Sequence, residues 1–197
     1  MCAKQETKLK REGPIPVFVI SGPSGCGKTS VSDLVVGELG IKRSISATTR
    51  SQRPDEIDGK DYRFVSHEEF VEGVRRGDYL EHAEYLGNLY GTPRRPIEQA
   101  IESDEPTLLD IDVQGATQVK RLYPGAVLVF LMPPSEEVLF ERLSKRGTDV
   151  AEEIKKRVER AREEISQKDN YQYVVVNEEL RDTVDQIKGI ILQEIGK

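Results

Sequence analysis

Along this chain, short apolar runs alternate with longer stretches in which apolar side chains return every three or four positions. The runs are Val17 to Ile20, Thr107 to Asp112 with two acids at its end, Ala126 to Met132, and Tyr173 to Val176. Such near-continuous apolarity predicts strands covered on both faces. Helical recurrence marks Thr29 to Leu39 through Val31, Leu34, Val35 and Leu39, and Leu180 to Ile195 through Val184, Ile187, Ile191 and Ile195. Gln114 to Leu122 and a segment opened by Ser135 and reaching Lys145 are further helices, while Gly40 suits a C-cap and Pro133-Pro134 halts a strand. Strands alternating with helices predict an α/β fold with a doubly wound parallel sheet.

The texture changes after Arg43 to Ala47, an alternating stretch with Ile45 between two serines. Thr48 to Tyr62 is polar, Tyr62 to Val65 reads as a short strand, and Ser66 with Glu69 forms a capping box for a helix edged by Phe70 and Val74. Tyr79 to Tyr90 reads as two strands around Gly87-Asn88, and Tyr62, Phe64, Phe70, Tyr79, Tyr85 and Tyr90 make this region rich in aromatics. An inserted mixed-sheet subdomain over 48–92 is the expectation. A helix near Pro96 to Ser103 leads back to the main body. Arg146-Gly147 breaks the chain before the charged helical stretch Ala151 to Gln167. Residues 1–14, polar and lysine-rich, read as a flexible arm.

Composition narrows the partners. Over 197 residues the formal charge is −6, which does not favour nucleic acid and requires any cations facing an anionic ligand to be clustered locally. The two cysteines, Cys2 and Cys26, form neither a disulfide framework nor a metal pattern. With no span-length apolar run and no leader, the expectation is a soluble cytoplasmic protein that meets no membrane. His67 and His82 are not paired at metal spacing and read as structural.

The most specific stretch is Ser21-Gly22-Pro23-Ser24-Gly25-Cys26-Gly27-Lys28-Thr29-Ser30, which fits the phosphate-binding loop pattern between a strand and a helix. Its glycines let backbone amides surround a polyphosphate, Lys28 supplies an ammonium for the β- and γ-phosphates, and the Thr29 hydroxyl can ligate Mg²⁺. Cys26 reads equally well as a thiolate favoured by those amides and by Lys28, or as a small residue filling the turn. Arg50 and Arg53 follow the second strand at the ligand-binding edge, close enough to clamp one phosphate. Tyr62 and Tyr90 offer phenolic donors, and Glu81 can accept two N–H bonds from a heterocycle. Asp110 and Asp112 end a buried strand where such enzymes keep a metal-organising acid. Arg142 and Arg146 lie one helical turn apart, and with Arg157 they provide cations for a mobile flap. The rest of Glu152 to Glu164 reads as a solvated, salt-bridged face.

Taken with Ser46-x-Thr48-Thr49-Arg50-x-x-Arg53, Glu56, Gly59-x-Asp61-Tyr62-x-Phe64, Gly87-Asn88-x-Tyr90-Gly91 and Asp110-Ile111-Asp112-x-Gln114-Gly115, the chain resembles guanylate kinase from about residue 17 to 177. The resemblance implies a P-loop NTPase-type core (15–47, 93–140 and 168–197), a GMP-binding subdomain (48–92) and a helical lid (about 141–167). It implies transfer of a phosphoryl group from ATP to GMP, and to dGMP, with Mg²⁺, in purine nucleotide metabolism. By resemblance, Ser21 through Ser30 bind ATP, and Lys28, Arg50, Arg142, Arg146 and Arg157 are catalytic. Ser46, Arg50, Arg53, Tyr62, Glu81, Tyr90, Thr92 and Asp110 bind GMP, while Thr29 and Asp112 lie near Mg²⁺. Two alternatives stay open at this point: a non-catalytic phosphopeptide-binding module of the guanylate-kinase-like type, and a kinase for another phosphorylated acceptor such as a ribose phosphate. Oligomeric state is not legible.

Overall fold

The computed structural model describes residues 17–144 and 151–196, with the backbone alone for 151–155. The expected arm, Cys2, Lys145, Arg146 and Gly147 lie outside the described residues. Five strands form the main sheet: β1 (Val17–Ser21), β2 (Lys42–Arg43), β7 (Thr107–Asp110), β8 (Val127–Met132) and β9 (Tyr173–Val176). Their order is β2-β7-β1-β8-β9, and every neighbouring pair is parallel. The doubly wound parallel sheet is therefore borne out.

β1 shows why the chain folds this way. It is buried from end to end, and successive side chains point to opposite faces. Phe18 and Ile20 pack with Val31 and Val35 of α1 (Lys28–Leu39) and Ile187 and Ile191 of α7 (Leu180–Ile195). Val17 and Val19 pack instead with Ile97 of α3 (Arg94–Glu102) and with Ala116 and Val119 of α4 (Val113–Leu122). Each fully buried side chain of this size contributes about 1.5–3 kcal/mol, so both faces of the strand demand helices. Among the described residues no helix is long and apolar enough to cross a membrane.

A second sheet has the order β4-β3-β6-β5 and is mixed. Its strands are β3 (Ala47–Thr48), β4 (Arg63–Phe64), β5 (Tyr79–Tyr85) and β6 (Asn88–Pro93), with α2 (His67–Arg76) between β4 and β5. Ser66 caps α2 through both hydrogen bonds of the capping box. Gln118 of α4 fastens β5 to the core, donating from Nε2 to the His82 carbonyl at 2.8 Å while its Oε1 accepts from the His82 amide at 3.3 Å.

The remaining helices are α5 (Glu136–Ser144) and α6 (Ala151–Ile165). Three expectations need correction. Arg43 to Ala47 is not one strand, because the Ser44 amide still bonds Leu108 of the main sheet while the Ser46 carbonyl already accepts from Arg63 of the second. The hairpin turn is Leu86-Gly87, with φ of 50° and 75°, and Asn88 begins β6. Positive φ at both turn positions matches the twist of the flanking strands, and Asn88 Nδ2 donates to the Leu86 carbonyl at 3.2 Å. The run that starts at Thr107 ends as a strand at Asp110, because Asp112 caps α4 by accepting from the Gly115 amide at 2.8 Å.

Candidate active site

The loop between β1 and α1 lies beyond the carboxyl end of the central strand. Gly22 has φ 145°, and a Cβ there would fall 2.2 Å from the Leu131 carbonyl oxygen. No larger residue lets the turn pass so close to β8. Gly27 is the N-cap of α1 and supplies no side-chain cap, so the first amides of the helix are left for an anion. Lys28 Nζ curls back onto the carbonyls of Gly22 and Pro23, at 2.7 and 3.1 Å. Burial opposes its charge, but surrounding groups, Asp110 and Glu164 among them, more than compensate and raise its pKa.

Ser24, Gly25, Gly27, Lys28, Thr29 and Ser30 line a cleft, together with Gly22. Ser21 is buried at the end of β1 and Pro23 acts through its carbonyl, which accepts from the Cys26 amide at 3.2 Å. Cys26 is fully buried, and burial pushes its thiol up from the usual value. The thiolate expectation is therefore corrected: Cys26 fills the turn. Its carbonyl accepts from Asn177 Nδ2 at 2.8 Å and from Arg142 at 3.4 Å. Arg142 also reaches the Asn177 carbonyl at 3.4 Å, so it braces the loop from beneath and does not line the cleft. Arg157 lines the cleft, whereas Arg146 lies outside the described residues.

The second sheet closes the opposite side with Ser46, Arg50, Arg53, Tyr62, Glu81 and Tyr90. Glu56 holds the two arginines in one place, accepting from the Arg50 guanidinium at 2.6 Å and from the Arg53 amide at 2.8 Å. The Arg50 guanidinium stands 5.7 Å from the Tyr62 ring centroid, and Tyr62 meets Tyr90 edge-on at 6.0 Å. Burial, reinforced by Asp110, pushes the Tyr62 phenol up to about 12, so it stays protonated and able to donate.

Glu81 is 4% exposed. Its Oε1 accepts from the Thr92 amide at 3.0 Å and the Thr92 hydroxyl at 2.6 Å. Its other oxygen lies against Gly115, where a Cβ would approach to 2.3 Å. Burial raises the Glu81 pKa to about 7, helped by Asp112 and opposed by the two Thr92 hydrogen bonds. Thr92 is itself fully buried and orients Glu81 without lining the cleft.

Between the two sides, the Thr29 hydroxyl donates to Asp110 Oδ2 at 3.2 Å. Burial lifts the Asp110 carboxyl despite Lys28 nearby. Asp112 lines the cleft too, but one of its oxygens is committed to capping α4. The carboxylate that meets the Thr29 hydroxyl is thus Asp110, with Asp112 lining the same cleft. Among the described residues no set of three or more His, Cys, Asp or Glu side chains converges to hold a metal unaided.

Two contributors escaped the sequence reading. Glu164, assigned to a solvated face, is 7% exposed and lines the cleft; its place two turns after Arg157 on α6 was the available signal. Asn177, which braces the loop and accepts from Thr183 at 3.1 Å, sits so far along the chain from Cys26 that no local pattern joins them.

A phosphate loop at the end of a central parallel strand, facing arginines, tyrosines and a buried carboxylate across one cleft, defines a P-loop nucleotide phosphotransferase. The family model for guanylate kinase matches residues 15–194. The chain is 48% identical over 180 residues to guanylate kinase of Gloeobacter violaceus, covering 91% of this chain and 88% of the relative. It is 47% identical to guanylate kinase of Streptococcus thermophilus, covering 90% and 86%. The crystal structure of guanylate kinase from Anaplasma phagocytophilum superposes with a TM-score of 0.81 at 37% identity, covering 93% of this chain and 88% of that one. The chain belongs to the guanylate kinase family.

Proposed function

We propose that this chain transfers the γ-phosphoryl group of ATP to GMP or dGMP, giving ADP and the nucleoside diphosphate, in the cytoplasm. The observation that carries this reading is that one cleft is lined on one side by the glycine loop with Lys28 and on the other by the buried carboxylate of Glu81. Arg50, Arg53, Tyr62 and Tyr90 take the GMP phosphate; Ser46 and Glu81 take guanine, with Thr92 and Asp110 at its border. Ionised Glu81 accepts from guanine N1–H and the exocyclic amine in parallel, whereas adenine presents an unprotonated N1 to the same oxygens. Sites that leave buried hydrogen-bonding groups unpaired against the wrong base reach discrimination of ~10⁴-fold.

Lys28 leaves the Gly22 and Pro23 carbonyls for the phosphates of ATP and, with Arg157, neutralises charge as it shifts between them. Arg142 and Arg146 assist, Arg142 by holding the loop. The Thr29 hydroxyl and Asp110 carboxylate are hard oxygen donors side by side, with Asp112 nearby, and this donor set fits Mg²⁺, which these residues would hold. When bound, the ion screens the negative charge of the phosphates. Transfer is direct and needs no covalent intermediate, and closure of the second sheet (48–92) and the helices of about 141–167 over the core (15–47, 93–140, 168–197) excludes water.

Coupled measurement of ADP formation with GMP, AMP and ribose phosphates in parallel tests the proposal. Turnover with GMP and strong rejection of the others is expected. No ADP formation with GMP would sink it, and turnover with a ribose phosphate would replace it.

A further inference from the structure

Arg157, Arg160 and Glu164 are spaced to share one face of α6. Arg157 and Glu164 line the cleft, whereas Arg160 crosses to the β5–β6 hairpin. Its guanidinium carbon stands 4.4 Å from the Tyr85 ring centroid, its Nη2 donates to the Glu84 carbonyl at 3.3 Å, and its Nε lies 3.4 Å from Glu164 Oε1. We propose that Arg160 is a positioning residue that ties the acceptor-side hairpin to the donor-side helix, so that GMP and ATP strengthen each other's binding.

The placement of α6 makes this tie matter. On its other side the helix rests on a small apolar cluster, Ala161 and Val158 against Leu139 and Leu143. Its charged pair with α5, Arg162 to Glu136, is exposed and therefore holds it weakly. Across the cleft, Tyr85 lies on the same strand as Glu81, four residues on, and so on the same face of β5. Tyr85 itself lines the cleft. A purine drawn onto Glu81 settles β5, β5 carries the Tyr85 ring, and the ring holds Arg160 and with it Arg157 and Glu164 above the phosphate loop. A planar guanidinium suits this task because it stacks on the ring while its edge remains free to donate.

The inference rests on the proposed substrates. The test is calorimetric: the dissociation constant of a non-hydrolysable ATP analogue with and without saturating GMP. In the natural protein GMP should tighten the analogue by ~10-fold, and by linkage the analogue should tighten GMP equally. Arg160→Ala and Tyr85→Leu should each bring that ratio to within ~2-fold of unity, the scale of losing a partly buried cation–π contact. The double variant should add nothing further. Tyr85→Phe, which keeps the ring face, should retain the ratio, and this comparison carries the test if Arg160→Ala fails to fold. An unchanged ratio in folded Arg160→Ala, Phe behaving like Leu at Tyr85, or no coupling in the natural protein would each overturn the role of Arg160. Absence of ADP formation with GMP in the natural protein would instead overturn the substrate reading beneath it.

Discussion

The phosphate loop and the second sheet face each other across one cleft, yet they are held in shape by different means. In the loop the backbone is the structure: glycines with positive φ, the Cys26 carbonyl gripped by both Asn177 and Arg142, and a helix start left uncapped for an anion. On the second sheet, side chains hold side chains: Glu56 sets the two arginines, Thr92 sets Glu81, and Gly115 leaves room for the carboxylate. A backbone cradle depends on glycines at fixed positions and tolerates little substitution there. A side-chain reader depends on single side-chain contacts, so it can be detuned one contact at a time.

The largest effect should come from the loop. Lys28→Ala should cut turnover by at least ~10²-fold, the scale of removing one transition-state contact in a closed site, while circular dichroism reports an intact fold. Near-normal turnover in the coupled ADP assay would end the central role given to this lysine. On the opposite side, Gly115→Ala places a methyl group 2.3 Å from a Glu81 oxygen and must move the carboxylate. Displacing a positioned group by about 1 Å costs up to ~10²-fold. The loss should appear in kcat/KM for GMP and leave affinity for the ATP analogue nearly untouched; an equal loss on both substrates would mean the two sides are not separable.

Glu81 sharpens the comparison through pH. Its carboxyl titrates at about 7 in the folded protein against an ordinary value of 4.5, so the folded state holds the proton more tightly across that interval. The corresponding stability is fully present below about 4.5 and is lost as pH rises through about 7. Melting temperatures between pH 5 and 8 should therefore fall more in the natural protein than in Glu81→Gln. GMP binding should run the opposite way, strengthening as pH rises through about 7 because guanine needs the ionised form. Parallel melting curves for the two proteins would remove the titration from Glu81. Glu81→Gln should also lower GMP use, since the amide has one accepting oxygen; full preference for GMP over AMP at normal efficiency would show that another residue reads the base.

The smallest effect should come from Ser66, which caps α2 away from the cleft lining. Ser66→Ala should cost about 1 kcal/mol in denaturant unfolding and leave kcat/KM for GMP unchanged. A clear loss of GMP use would mean that α2 helps position the reading residues.

How much of this was legible varies with how local each feature is. The loop could be read residue by residue, because its geometry follows from glycines within one turn. The capping box and the termini of β9 and α7 were legible for the same reason. Cys26 was not: inward-pointing amides favour a thiolate, but packing in the core with residues of β8 and α1 buries the sulfur and reverses the preference. Asp112 likewise reads as a strand-end acid until α4 is in place to claim it as a cap.

The sequence by itself determined the alternation of strands and helices, the phosphate loop and the residue types facing it, because periodicity and backbone freedom act over a few residues. Tertiary structure decided which groups meet. It placed Asp110 on Thr29, buried Glu81 between Thr92 and Gly115, drew Glu164 into the cleft and laid Arg160 on Tyr85. Each of these depends on desolvation and on contacts between segments far apart in the chain. Those quantities exist only once the sheets and helices have packed.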